Sequence, residues 1–168
     1  PLLDDAAMRV VLDGFNDTAL EYARDDLLHR AFERQAARQP DAVAVRDGSG
    51  VVDYRGLNRL ANRIAQRLIA LGVRPDDRVA ISATRGIPMI AGILGILKAG
   101  GAYVPLDPKY PADRLAHMLE DSAPKAMLTE SMLPAMPGAA ALPTLLLDAA
   151  AFLEDAPGDD VDPDPAGL

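Results

Sequence analysis

The sequence predicts an α/β fold, a largely parallel sheet with helices on its faces, preceded by an early β-hairpin. Three observations carry this expectation. Short apolar runs of strand length alternate with segments of helical period, the pattern of a parallel sheet covered on both sides. Pro40, Gly72 with Pro75, and Gly100-Gly101 stand where those helical segments must stop. Two strand-like runs, Ala42 to Arg46 and Gly50 to Tyr54, flank Asp47-Gly48-Ser49 at hairpin spacing.

Taken in order, residues 1–24 show no sustained period and read as a connector, with a short helix expected over Ala6 to Leu12. Asp25-Asp26 are candidate caps for a first amphipathic helix, whose stripe is Leu28, Ala31, Phe32, Gln35 and Ala36. After the hairpin, Leu57, Leu60, Ala61, Ile64, Leu68 and Leu71 form the stripe of a second helix. Arg59, Arg63 and Arg67 lie on its other side; that row reads as a solvated helix face rather than a phosphate-binding ridge. Arg78 to Ala83 is a short apolar strand. Pro88 opens a helix to Ala99 that is apolar nearly all round, and Gly92 and Gly95 inside it are expected to permit close packing. Ala102 to Val104 is a strand, Ala112 to Asp121 a third amphipathic helix, and Lys125 to Thr129 and Pro143 to Leu147 two more strands. Residues 25–153 are thus expected to form the α/β body. Residues 154–168, rich in Asp, Pro, Gly and Ala, are expected to form an acidic tail or loop with no core of its own.

Composition narrows the function. The net charge is −8, but Asp148 to Leu168 hold seven acids and no base, leaving 18 acids against 17 bases before them. The folded part is therefore near neutral and lacks the basic footprint of a nucleic-acid binder. No cysteine is present, which excludes disulfides and thiolate chemistry; two histidines, His29 and His117, are too few for a metal cluster. Both read as surface residues, His29 with a capping role as the alternative. The longest apolar stretch, Ile87 to Leu97, carries a proline and two glycines and falls short of the ~20 residues that span a bilayer. The chain reads as soluble and cytoplasmic.

Catalytic patterns fail one by one. Gly92, Gly95, Gly100 and Gly101 match neither a dinucleotide loop nor a P-loop, and they sit inside and at the end of a helix, whereas phosphate binds helix N-termini. None of Ser49, Ser82, Ser122 and Ser131 lies in a nucleophile elbow. The acidic pairs Asp76-Asp77 and Asp4-Asp5 fall in turns, where solvation explains them.

One segment is distinctive. Leu97-Lys98-Ala99-Gly100-Gly101-Ala102-Tyr103-Val104-Pro105-Leu106-Asp107-Pro108-Lys109-Tyr110-Pro111, followed by Arg114-Leu115, resembles the second core motif of adenylation domains of non-ribosomal peptide synthetases. Its glycines release a buried helix into a strand, its prolines forbid further helix, and Asp107 is placed to accept backbone N–H bonds in the turn. Val52-Asp53-Tyr54-Arg55-Gly56-Leu57 resembles the first motif, with Asp53 in place of a capping Thr and Gly56 in place of the Glu that closes a capping box. Leu28-His29 through Gln35 is similar to the opening segment of these domains. Leu12 to Thr18 is similar to the linker that joins a condensation domain to one. The end of the chain, Pro163 to Leu168, is similar to the loop preceding the family's phosphate-binding motif.

The resemblance implies the N-terminal subdomain of an adenylate-forming enzyme. Complete domains of this kind use ATP and Mg²⁺ to make an aminoacyl adenylate, then load it onto the phosphopantetheine of a carrier domain. The resemblance places the phosphate loop, the acid that binds the substrate amine and the late lysine beyond Leu168; none of Lys98, Lys109 and Lys125 matches that lysine. No catalytic, cofactor-binding or metal residue is expected within this chain, and its expected role is scaffold. A truncated docking module and a piece of an acyl-CoA ligase are the alternatives. Expected partners are the upstream condensation domain, the rest of the adenylation domain and the carrier domain. Self-association is expected through the uncovered side of the Pro88 to Ala99 helix.

Overall fold

The computed structural model describes residues 3–21 and 27–148. Helix α1 (Asp5–Leu12) begins at Asp4, whose Oδ1 accepts the Ala7 amide at 2.8 Å, so Asp4 is a helix cap and not merely a solvated turn residue. Helix α2 (Leu28–Arg38) follows, with Leu27 at its cap position and no side-chain cap bond; the caps expected at Asp25-Asp26, and the acidic tail, lie outside the described residues. Strands β1 (Val43–Asp47) and β2 (Gly50–Asp53) pair antiparallel, Asp47 opposite Gly50, around Gly48-Ser49.

Asp53 then caps helix α3 (Tyr54–Ala70), its Oδ1 accepting the Gly56 amide at 2.6 Å. A Cβ at Gly56 would lie 2.9 Å from Val52 Cγ2 and 3.0 Å from the Asp53 carboxylate, so the glycine lets the turn close tightly on its cap. Replacing Asp53 with Ala should cost about 1 kcal/mol, read as a lower urea midpoint at unchanged slope. Helix α3 ends at Gly72, φ +86°, with Gly72 donating to Ile69 O at 2.9 Å and Val73 to Leu68 O at 3.0 Å. Those paired bonds close the last turn and require a left-handed residue, hence glycine.

Strand β3 (Arg78–Ile81), helix α4 (Ile87–Lys98), strand β4 (Ala102–Pro105), helix α5 (Ala112–Ser122), and strands β5 (Ala126–Thr129) and β6 (Thr144–Leu146) are the remaining elements among the described residues. The four strands form one all-parallel sheet in the order β4-β3-β5-β6. Alternate residues of β3 face opposite sides. Val79 and Ile81 pack with α3 and α4 through Leu57, Ile64, Leu68 and Ile96, while Ala80 packs with α5 through Leu115 and Leu119. The sheet is therefore wound in both directions from its central strand.

Two expectations are corrected. The buried side of α2 carries His29, Phe32, Glu33 and Ala36, whereas Leu28 is 67% exposed. The stripe is rotated because Glu33 accepts a hydrogen bond from the fully buried Lys98 ammonium of α4. Likewise, α4 is not bare opposite the sheet: α3 and α2 cover it, and Leu94, Gly95 and Ile96 are buried. Met89, Ile93 and Leu97 stay half-buried and Ile90 is 38% exposed, so only part of the apolar surface expected on α4 is covered.

Candidate functional site

A concave region of the sheet lies at its carboxyl edge. A cavity of about 590 Å³ opens between the end of β3 with its following loop, residues 81–85, and the end of β4 with its turn, residues 105–109. Its apolar walls include Ile81, Leu106, Met89 and Ile93; Arg85 and Lys109, both exposed, also line it. Asp107 turns the chain here, Oδ1 accepting the Lys109 amide at 2.9 Å. The side chain is exposed, so its contribution is that of one solvent-facing hydrogen bond, below that of a carboxylate satisfying buried amides.

Two distant carboxylates fix the loop between β3 and α4. Glu130, buried just after β5, accepts from the Thr84 amide at 2.5 Å and the Thr84 hydroxyl at 3.1 Å. Asp47, from the hairpin, accepts the Ile87 amide at 2.7 Å through Oδ2 while its Oδ1 accepts the Ser49 hydroxyl at 2.6 Å and the amides of Ser49 and Gly50. Helix α4 begins at Gly86 with no side-chain cap of its own, and Asp47 supplies the missing acceptor from forty residues away. A Cβ at Gly86 would sit 2.5 Å from that carboxylate. At the same carboxyl edge, on the β5–β6 side, the Ser131 amide and hydroxyl both donate to Asp148, tying the loop after β5 to the end of β6 and lowering the Asp148 pKa.

The Ser49 hydroxyl, followed by the Ile87 and Ser49 amides, holds Asp47 down from 3.8 to about 2. Its folded pKa lies below the unfolded one, so its contribution is complete above pH ~4 and is lost as pH falls toward 2. Asp47→Asn should therefore flatten the acid limb of stability in that window. Melting temperatures measured from pH 5 to pH 2 test this; parallel acid limbs for variant and parent would refute it.

Asp47 already fills the anion position at the start of α4. Gly92 and Gly95 lie against Ile81 and Ile64, and Gly100, φ +79°, closes α4 as Gly72 closes α3. Among the described residues no group of three His, Cys, Asp or Glu converges as a metal site would. Of the sequence candidates, His117 is exposed, whereas His29 is 5% exposed and belongs to the underside of α2, contrary to the surface reading. Asp77 bonds the Arg74 amide in its turn. Arg59 and Arg67 are exposed as a solvated face requires, whereas Arg63 between them is half-buried and engaged in an interaction. The roles of Thr84, Arg85, Glu130 and Asp47 carried no sequence signal beyond an uncapped helix start at Gly86-Ile87-Pro88.

A sequence model of the family described as AMP-binding enzyme matches residues 32–166. The chain belongs to that family. A linear gramicidin synthase of Brevibacillus parabrevis is 44% identical over 155 residues, 92% of this chain but 3% of that protein. Tyrocidine synthase 3 of the same organism is 50% identical over 123 residues, 73% of this chain and 2% of that protein. The crystal structure of the nonribosomal peptide synthetase FmoA3 superposes with a TM-score of 0.78 at 37% identity, over 92% of this chain and 16% of that one. A holo four-domain nonribosomal peptide synthetase bound to AMP and glycine gives 0.66 at 35%, over 79% and 10%. The chain thus spans 2–3% of the length of those curated relatives, and its mixed fold is that of the N-terminal part of a peptide synthetase adenylation domain.

Proposed function

We propose that this chain is the opening α/β portion of a domain that activates an amino acid for nonribosomal peptide synthesis. In this reading the complete domain uses ATP and Mg²⁺ to form an aminoacyl adenylate, then delivers the acyl group to phosphopantetheine on a carrier domain in the cytoplasm. A condensation domain stands upstream, and residues 1–24 are its linker. The observation that carries the reading is the Leu97 to Pro111 segment. It folds as the end of α4, a glycine-capped exit, strand β4 and the Asp107 turn, within a superposition on a peptide synthetase whose AMPPNP-bound form is also known. The contribution of this portion is scaffold. Residues 81–109 build one wall at the carboxyl edge of the sheet, with no phosphate cradle of their own.

ATP–pyrophosphate exchange across the common amino acids tests the proposal. The chain alone should stay at background. The chain expressed in one polypeptide with the remainder of such a domain should exchange with one amino acid or a small set. Exchange by the chain alone would overturn the scaffold role, and silence of every joined form would overturn the activating function. No helix among the described residues is long and apolar enough to cross a membrane.

A further inference from the structure

The cavity at the carboxyl edge lies at a position the topology singles out. The chain leaves β3 for α4 on one face of the sheet and leaves β4 for α5 on the other, and β3 and β4 are neighbours. Two adjacent loops that depart to opposite faces leave a crevice between them, and in open α/β sheets ligands bind in that crevice, outside the carboxyl ends of the strands. The cavity occupies that crevice, since residues 81–85 and 105–109 are those two loops. Its volume of about 590 Å³ suits a small molecule.

The lining states what kind. Ile81, Leu106, Met89 and Ile93 offer an apolar wall. Thr84 is committed to Glu130, and one Asp107 oxygen to the Lys109 amide. The Arg85 and Lys109 side chains make no ion pair among the described residues. Two available cations against one carboxylate leave the lining net positive. Helix α4 adds nothing to that charge, because Asp47 covers its N-terminus.

We propose that this crevice is a binding site for a small amphiphilic anion, its apolar body against Ile81, Met89, Ile93 and Leu106 and its carboxylate or phosphate head on Arg85 and Lys109. The site is separate from amino-acid activation, which the proposed function lays on residues outside this chain, and it stands or falls independently of it. Arginine takes either head through a forked pair of hydrogen bonds, and lysine adds a point charge.

The test is titration of the isotopically labelled chain with octanoate and octyl phosphate, followed by amide chemical shifts. Octanol and inorganic phosphate serve as the headless and bodiless controls. Saturable shifts confined to residues 81–89 and 105–109 are expected with one or both anions, and at least about fivefold weaker binding with either control. The double substitution Arg85→Ala with Lys109→Ala removes two exposed side chains, so it leaves the fold intact and should weaken the anions about five- to tenfold while leaving octanol unchanged. The tighter of the two anions then names the head group. Absence of saturable shifts at millimolar octanoate and octyl phosphate overturns the site. So does equal binding of octanol, or anion binding that survives the double substitution.

Discussion

Glu33→Ala should lower stability by about 3 kcal/mol, the largest loss expected here from one side chain. Lys98 is fully buried at the end of α4, and Glu33, on α2, accepts a hydrogen bond from its ammonium while 10% exposed. An ammonium inside a protein is tolerated where a carboxylate balances it, and stripping that carboxylate exposes the cost of having removed the charge from water. Arg30 approaches the same carboxylate at 3.6 Å, but with 39% of its side chain exposed it keeps more water than Lys98 and loses less. The pair also joins two helices that share few other contacts, so α2 should loosen before the sheet does. Hydrogen exchange of α2 amides should accelerate in the variant beyond the change seen in β3 and β5. Glu33→Leu combined with Lys98→Met keeps the volume and removes both charges, and should come out near neutral or stabilised. Urea unfolding of the three proteins decides the matter. A loss under about 1 kcal/mol for Glu33→Ala would show that the pair does not hold α2 in place.

The second large effect separates two glycines three residues apart on α4. Gly95→Ala should destabilise by about 1–2 kcal/mol, whereas Gly92→Ala should be within about 0.5 kcal/mol of the parent. Both gain the same helix propensity, about 1 kcal/mol. At Gly95 the new methyl would lie 2.7 Å from Ile64 Cβ and 3.1 Å from the Ala61 carbonyl, so α3 itself must move away. At Gly92 the tight contact is 2.7 Å to Ile81 Cδ1, the free end of a side chain that can rotate. Overpacking against backbone costs more than helix propensity returns; overpacking against a terminal methyl does not. Equal midpoints for the two variants would mean that α3 and α4 are not held at this crossing.

Elements whose causes are local were legible in the sequence. The hairpin, expected around Asp47-Gly48-Ser49 and found with Asp47 already in the strand, the Asp53 cap and the Gly72 and Gly100 exits all follow from residues within a few positions of one another. Strand and helix bounds fell close to expectation for the same reason, since an apolar period and its punctuation lie side by side in the chain. The family resemblance of Leu97 to Pro111 belongs with these, because that segment codes its own helix end, strand and turn.

The tertiary structure decided what depends on partners far along the chain. The buried face of α2 could be read from apolar period only in part, at Phe32 and Ala36, because it also holds His29 and Glu33, and the burial of Glu33 makes sense only beside Lys98, sixty-five residues away. The cap of α4 lies on the hairpin, forty residues before it, and the brace of Thr84 lies at Glu130. The crevice exists because β3 and β4 are neighbours whose exits diverge, a fact of strand order that no single segment encodes. Local physics wrote the elements, and long-range electrostatics and topology chose which of their faces were buried and where the chain opens a cavity.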